Sequence, residues 1–100
     1  MCGVTTGGLS VEGIDVTTES IIQGVVLSAS GPIGRAYVRL LDRSGEFTAE
    51  VPTSPTGHFR FFAAPGSWTI RVLAPGAEPV DRTVVAERGV VAEVEVHVDQ

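Results

Sequence analysis

From residue 20 onward, apolar and polar positions alternate with a period of two along most of the chain, the periodicity of strands that bury one face and wet the other. The pattern is strongest from Gly57 to Val72, GHFRFFAAPGSWTIRV. Phe59, Phe61, Trp68, Ile70 and Val72 take alternate places on either side of Pro65-Gly66. This spacing predicts two half-buried strands, residues 58–63 and 67–73, joined as a hairpin. The chain has four Phe, one Trp and one Tyr. Phe59, Phe61, Phe62 and Trp68 all fall in this stretch, so the core is expected to be densest here.

The same reading places a strand over 20–28, where Ile22, Gly24 and Val26 alternate with Gln23 and Val25. A second follows Ser30-Gly31-Pro32, with Ala36, Val38 and Leu40 on one side and Arg35, Tyr37 and Arg39 on the other. Phe47, Ala49 and Val51 make a third after Ser44-Gly45, and Pro52 and Pro55 end it because proline supplies no ladder donor. Past the aromatic pair, residues 82–86 form a less regular strand. In the last strand Val90, Ala92, Val94, Val96 and Val98 alternate with Glu93, Glu95, His97 and Asp99. Seven short strands separated by glycine turns predict an all-β, antiparallel sandwich over residues 19–100 with almost no helix. The expected core is Ile22, Val26, Ile33, Ala36, Val38, Leu40, Phe47, Val51, Phe59, Phe61, Trp68, Ile70, Val72, Val94 and Val96. Residues 1–18 lack a sustained period and read as a flexible N-terminal tail.

Composition narrows the function classes. The net charge is −5 over 100 residues. An acidic chain has no basic footprint for nucleic acid or an anionic membrane, so neither is an expected partner. All the basic residues are arginine; lysine and asparagine are absent. One cysteine, Cys2, forms neither an internal disulfide nor a zinc site. The first twenty residues lack the charge and apolar run of a secretory signal, and no stretch approaches a membrane span. A cytoplasmic location is expected, with no metal or cofactor.

The runs IIQGVVLSASGPIGRAYVRLLD and SPTGHFRFFAAPGSWTIRVLAPG resemble the carboxypeptidase regulatory-like domain. Ile22, Gly24 and Val26 match its opening. Gly31, Pro32, Ile33, Ala36, Val38 and Leu40 match its middle, and Thr56, Gly57, Phe59, Phe61, Pro65, Gly66 and Trp68 its close. The resemblance implies a seven-stranded, transthyretin-like and immunoglobulin-like sandwich and says little about function. The phrases AYVRLLD, GEFTAEV and FRFFAAPGSW are closely similar to a family of small actinobacterial proteins of unknown function, often encoded beside rhodanese-type thiosulfate sulfurtransferases. That resemblance implies a non-enzymatic accessory role in sulfur metabolism, with such a sulfurtransferase as partner. The alternative is a stand-alone carbohydrate- or peptide-binding sandwich. An edge strand also offers a route to a homodimer.

Four features carry candidate chemistry. Cys2 is a candidate sulfur acceptor, its thiolate favoured by a neighbouring α-ammonium once the initiator methionine is removed; the alternative is an inert tail thiol. Arg39, Arg60 and Arg71 each stand between apolar residues and are expected to face outward. On neighbouring strands they would form a docking patch for a carboxylate or a thiosulfate-like anion; otherwise they pair with outer-face acids such as Glu50. Glu93, Glu95 and His97 share one face of the last strand and are a candidate metal-binding or acidic docking strip; at about 6.6–7 Å between neighbours they stand too far apart to share a single ion and are best read as a solvated face. His58 reads as a surface turn residue.

Enzymes with this kind of sandwich need residues this chain lacks. Hydroxyisourate hydrolases use several histidines and a C-terminal Tyr-Arg-Gly-Ser, whereas this chain has His58 and His97 and ends VHVDQ. Intradiol dioxygenases bind iron through two tyrosines and two histidines, and only Tyr37 is present. Adhesin-type repeats cross-link through a lysine, and there is none. The expectation is that the protein is not an enzyme.

Overall fold

In a computed structural model, residues 20–99 are described. They form eight strands and no helix: β1 (Ile21–Ser28), β2 (Gly31–Pro32), β3 (Tyr37–Leu41), β4 (Phe47–Pro52), β5 (His58–Phe62), β6 (Gly66–Leu73), β7 (Val80–Ala86) and β8 (Val91–His97). The expected tail, residues 1–18, lies outside the described residues. The strands build two sheets. In the first, β1 lies between β5 and β8, and the two-residue β2 pairs with the end of β1. The second has the order β4-β3-β6-β7.

The apolar parity of the strands closes between these sheets. Ile22, Val26, Phe59, Phe61 and Val96 come from the first; Val38, Leu40, Ile70, Val72, Val84 and Ala86 come from the second. All are buried in one cluster. The Phe59 and Phe61 ring centroids are 6.1 Å apart at 56°, a tilted aromatic contact within the favourable range. The all-β sandwich is as the alternation predicts.

The structure has eight strands rather than the expected seven, because Gly31–Pro32, a turn in the sequence reading, pairs with the end of β1 as the short β2; three further details differ. The strands flanking Pro65-Gly66 are not a hairpin: β5 pairs with β1, β6 pairs with β3 and β7, and the link crosses from one sheet to the other. Alternation tells which face of a strand is apolar, and that requirement is met as well by facing sheets as by adjacent strands. Second, β1 and β8 run parallel, from Ile21 opposite Val91 to Leu27 opposite His97, so one pair departs from the antiparallel pattern. Third, Phe47 is 61 % exposed rather than in the core. Leu40 faces Ala49 while Leu41 faces Phe47, leaving Thr48 as an extra residue on β4. This bulge flips the side-chain parity beyond it and turns Phe47 to the outer face. Trp68, Val51 and Val94 are half-buried against the core rather than within it.

Two glycines and one threonine make the close approaches possible. Gly57 takes φ +83°, and a Cβ on it would stand 2.7 Å from the Val26 carbonyl oxygen. A Cβ on Gly24 would overlap the Val94 carbonyl oxygen and press on the Phe59 ring. Gly24 thus lets β8 lie close against β1. Buried Thr53 donates from Oγ1 to the Ile33 carbonyl at 2.8 Å and accepts from the Ala36 N–H at 3.2 Å, which satisfies backbone groups ahead of β3.

Candidate functional site

The two sheets each present an outer face, and the strand register decides what meets on it. On the second sheet, Arg39 of β3 faces Arg71 of β6, Glu50 of β4 lies on the far side of Arg39, and Asp81 of β7 lies on the far side of Arg71. This is a transverse row, Glu50–Arg39–Arg71–Asp81. Arg39 Nε donates to Glu50 Oε1 at 2.7 Å. Arg71 donates through Nε and Nη2 to the two oxygens of Asp81, at 2.9 and 3.1 Å, a two-pronged contact. The hydrogen bond to Asp81 holds Arg71 above its ordinary value, and the same bond holds the Asp81 carboxyl below its own. Arg39 also lies 6.0 Å from the Phe47 ring centroid.

Arg60 is on the opposite sheet. The three-arginine docking patch therefore does not form. Arg39 and Arg71 are neighbours already matched by carboxylates, and Arg60 faces the other way on β5. It donates from Nε to Gln23 Oε1 at 3.1 Å. Its Nη2 is buried without a partner among the described residues, and burial pushes the guanidinium below its ordinary value.

The first sheet's outer face runs across β5, β1 and β8 in successive rows. Phe62, Ile21 and Val91 make an apolar row, in which Phe62 is 57 % exposed. Arg60, Gln23 and Glu93 make the next, followed by His58, Val25 and Glu95. His97 stands beside Leu27. Between the second and third rows is a depression of about 340 Å³, lined by Gln23, Val25, His58, Phe59, Glu93 and Glu95. His58 Nδ1 is 3.0 Å from Thr56 Oγ1, which leaves its Nε2 as the ring's other polar atom. His97 Nε2 lies 3.2 Å from Glu95 Oε1. Glu93 has no hydrogen bond or ion pair among the described residues.

Glu93, Glu95 and His97 share an exposed face, as their spacing predicts. Among the described residues, no group of three or more His, Cys, Asp and Glu could hold a metal ion. The candidate sulfur acceptor Cys2 lies outside the described residues. His58 was read as a turn residue alone; its place opposite Glu95, with Val25 between, depends on β1 pairing with both β5 and β8, and no local sequence signal carries that. Among the described residues, no helix is long and apolar enough to cross a membrane.

Comparison with solved structures places the fold. The chain is similar to the major pilin subunit of Bacillus cereus, at TM-score 0.69 and 17 % identity, over 80 % of this chain and 28 % of the pilin. It is similar to a minor pilin of Streptococcus agalactiae at TM-score 0.70 and 11 % identity, over 83 % of this chain and 45 % of that one. The dioxygenase domain of a dioxygenase–carbohydrate-binding fusion from a cellulolytic Streptomyces matches at TM-score 0.65 and 11 % identity, over 93 % and 86 % of the two chains. At such identities the likeness is one of β-sandwich fold.

Sequence relatives are closer. Uncharacterised proteins of Mycobacterium tuberculosis are 53 % identical over 76 residues, 74 % of this chain and 76 % of theirs. One from Mycolicibacterium smegmatis is 59 % identical over 63 residues, 62 % of this chain and 70 % of its own length. A family model described as a protein of unknown function, DUF1416, matches residues 2–98. From Cys2 through the last strand, then, this chain belongs to the DUF1416 family.

Proposed function

We propose that this chain is a non-enzymatic accessory module of the cytoplasm that docks a partner protein on the outer face of the β5–β1–β8 sheet. The partner is a rhodanese-type sulfurtransferase, and the sandwich is of the carboxypeptidase regulatory-like kind. One observation supports the choice of face: Glu93 is exposed and, among the described residues, unpaired beside a depression bounded by Gln23, His58 and Glu95, while Arg39 and Arg71 on the opposite face are matched internally. Cys2 is the residue through which the module would take up sulfur. Its thiolate attacks the terminal sulfur of the enzyme's persulfide, forming a Cys2 persulfide and returning the enzyme thiolate.

Two measurements test this reading. A pull-down from the native host with the whole chain is expected to recover a sulfurtransferase, and Glu93→Gln/Glu95→Gln is expected to lose it. Intact-mass analysis after incubation with thiosulfate and a rhodanese is expected to add about 32 Da, one sulfur, at Cys2. Recovery of no sulfurtransferase together with no adduct would remove the proposal. A second reading, a stand-alone carbohydrate- or peptide-binding sandwich, draws on exposed Phe62 in the row beside Arg60 and Gln23, an aromatic surface next to planar polar groups.

A further inference from the structure

We infer that the depression between β5, β1 and β8 is a receptor for a cationic side chain, an arginine foremost, presented by a partner protein. The inference rests on the docking face proposed above and specifies the chemistry that face would recognise.

The depression offers acceptors along one side, a wall on the other and an apolar floor. Glu93 and Glu95 stand on the β8 side, two residues apart on the same face. A strand separates such positions by about 6.6–7 Å, which is too wide for a small metal ion that needs oxygen contacts at about 2.0–2.6 Å. A guanidinium differs: its five N–H groups fan outward in a plane, so each carboxylate can accept from a different edge. Val25 supplies apolar surface for the methylene stem, in the way long basic side chains cover hydrophobic surface. His58, held through Nδ1 by Thr56, closes the β5 side with a flat ring. The volume, about 340 Å³, falls at the small end of the range for ligand pockets, about 300–1,000 Å³, suited to one side chain rather than an extended molecule.

The chain's own arginines leave the position open. Arg60 is in the row of Glu93 but is bonded to Gln23 between them. Arg39 and Arg71 are committed on the opposite sheet. Two carboxylates on a chain of net charge −5 repel an anion and draw a cation. This favours a basic side chain over a thiosulfate-like anion at this face.

The probe is acetyl-Gly-Arg-Gly-amide, titrated into the isotopically labelled full chain and followed by amide NMR shifts. Saturable shifts are expected at Gln23, Val25, His58, Glu93 and Glu95, falling with added salt. The counterpart peptide with citrulline, neutral and of nearly the same shape, is expected to bind at least about tenfold more weakly, as is the arginine peptide with Glu93→Gln/Glu95→Gln. Both glutamates are exposed, and an unchanged urea midpoint for that variant confirms its fold. Equal binding of the citrulline peptide, shifts that never saturate, or shifts centred on another face would overturn the inference. So would saturable binding of an oligosaccharide at these residues without binding of the arginine peptide. The two proposals fail separately. Loss of sulfurtransferase capture in the double variant without arginine-peptide binding removes only the cation receptor. Peptide binding without capture of a sulfurtransferase removes only the named partner.

Discussion

The two outer faces of this sandwich use nearly the same residue types and end in opposite conditions. On β4-β3-β6-β7, four charges line up as acid, base, base, acid, and each arginine has a carboxylate within 2.9 Å. On β5-β1-β8, one arginine is bonded to a glutamine, and Glu93 has no partner among the described residues. Composition alone does not separate them. The difference lies in which strand is next to which, and it teaches that a charge becomes available for recognition when register denies it a neighbour of opposite sign. The matched row serves the sheet itself through cross-strand pairing.

The largest effect available is one that strikes both faces at once. Phe59 is 1 % exposed in the shared core, and Phe59→Ala is expected to cost about 3–5 kcal/mol, read as a large fall in the urea midpoint. A midpoint that barely moves would mean that the faces are not held by a common core.

Gly24→Ala acts next, and on one face. The new Cβ overlaps the Val94 carbonyl, so β8 must shift from β1 at a cost of about 1–3 kcal/mol. Hydrogen exchange is expected to speed up along β8 and β1 while β3 and β6 keep their protection. Uniform loss over both sheets would break the distinction between faces.

Charge removal is smaller. Arg71→Ala is expected to lower the urea midpoint slightly, as loss of an exposed ion pair does. Glu93→Gln, which has no partner to lose, is expected to leave stability within about 0.5 kcal/mol of the parent. A larger loss for Glu93→Gln than for Arg71→Ala would reverse the assignment of matched and open faces.

Acid titration sharpens the same point with the smallest signal. The Asp81 carboxyl is held below its ordinary 3.8 by its hydrogen bond from Arg71. Asp42 is held below the same value, first by the Ser44 hydroxyl and then by the Glu46 N–H. A depressed carboxylate contributes stability above its unfolded value and loses it as pH falls through the lower folded value. Urea midpoints are therefore expected to fall below pH 3.8, less steeply for Asp81→Asn. An identical slope for the variant would show that the Arg71–Asp81 contact contributes nothing in solution.

Much of the fold was legible in the chain. Val38 and Leu40, Phe59 and Phe61, Ile70 and Val72 show by spacing alone which way they face, and all are buried. β7 was harder, because Arg82 stands on the face of Ile70 yet is exposed at the sheet edge, interrupting the alternation that Val80 and Val84 would show. Phe47 misled because the extra residue on β4 is visible only against β3. For the site, the strip of Glu93, Glu95 and His97 could be read from one strand. The company of His58, Gln23 and Glu93 could not, since it draws on three strands far apart in the chain.

The sequence by itself determined that the chain is all-β, roughly where seven of its strands run, which side of most of them is apolar, and that it closes as a sandwich. Those properties follow from a two-residue repeat and from turn residues, both local. Tertiary structure alone decided that β8 runs parallel beside β1, that the Pro65-Gly66 link crosses between sheets, and that Arg60 parts from Arg39 and Arg71. Strand pairing is a choice among distant partners with the same parity, settled by how all the apolar faces close together, and so no short stretch of sequence contains it.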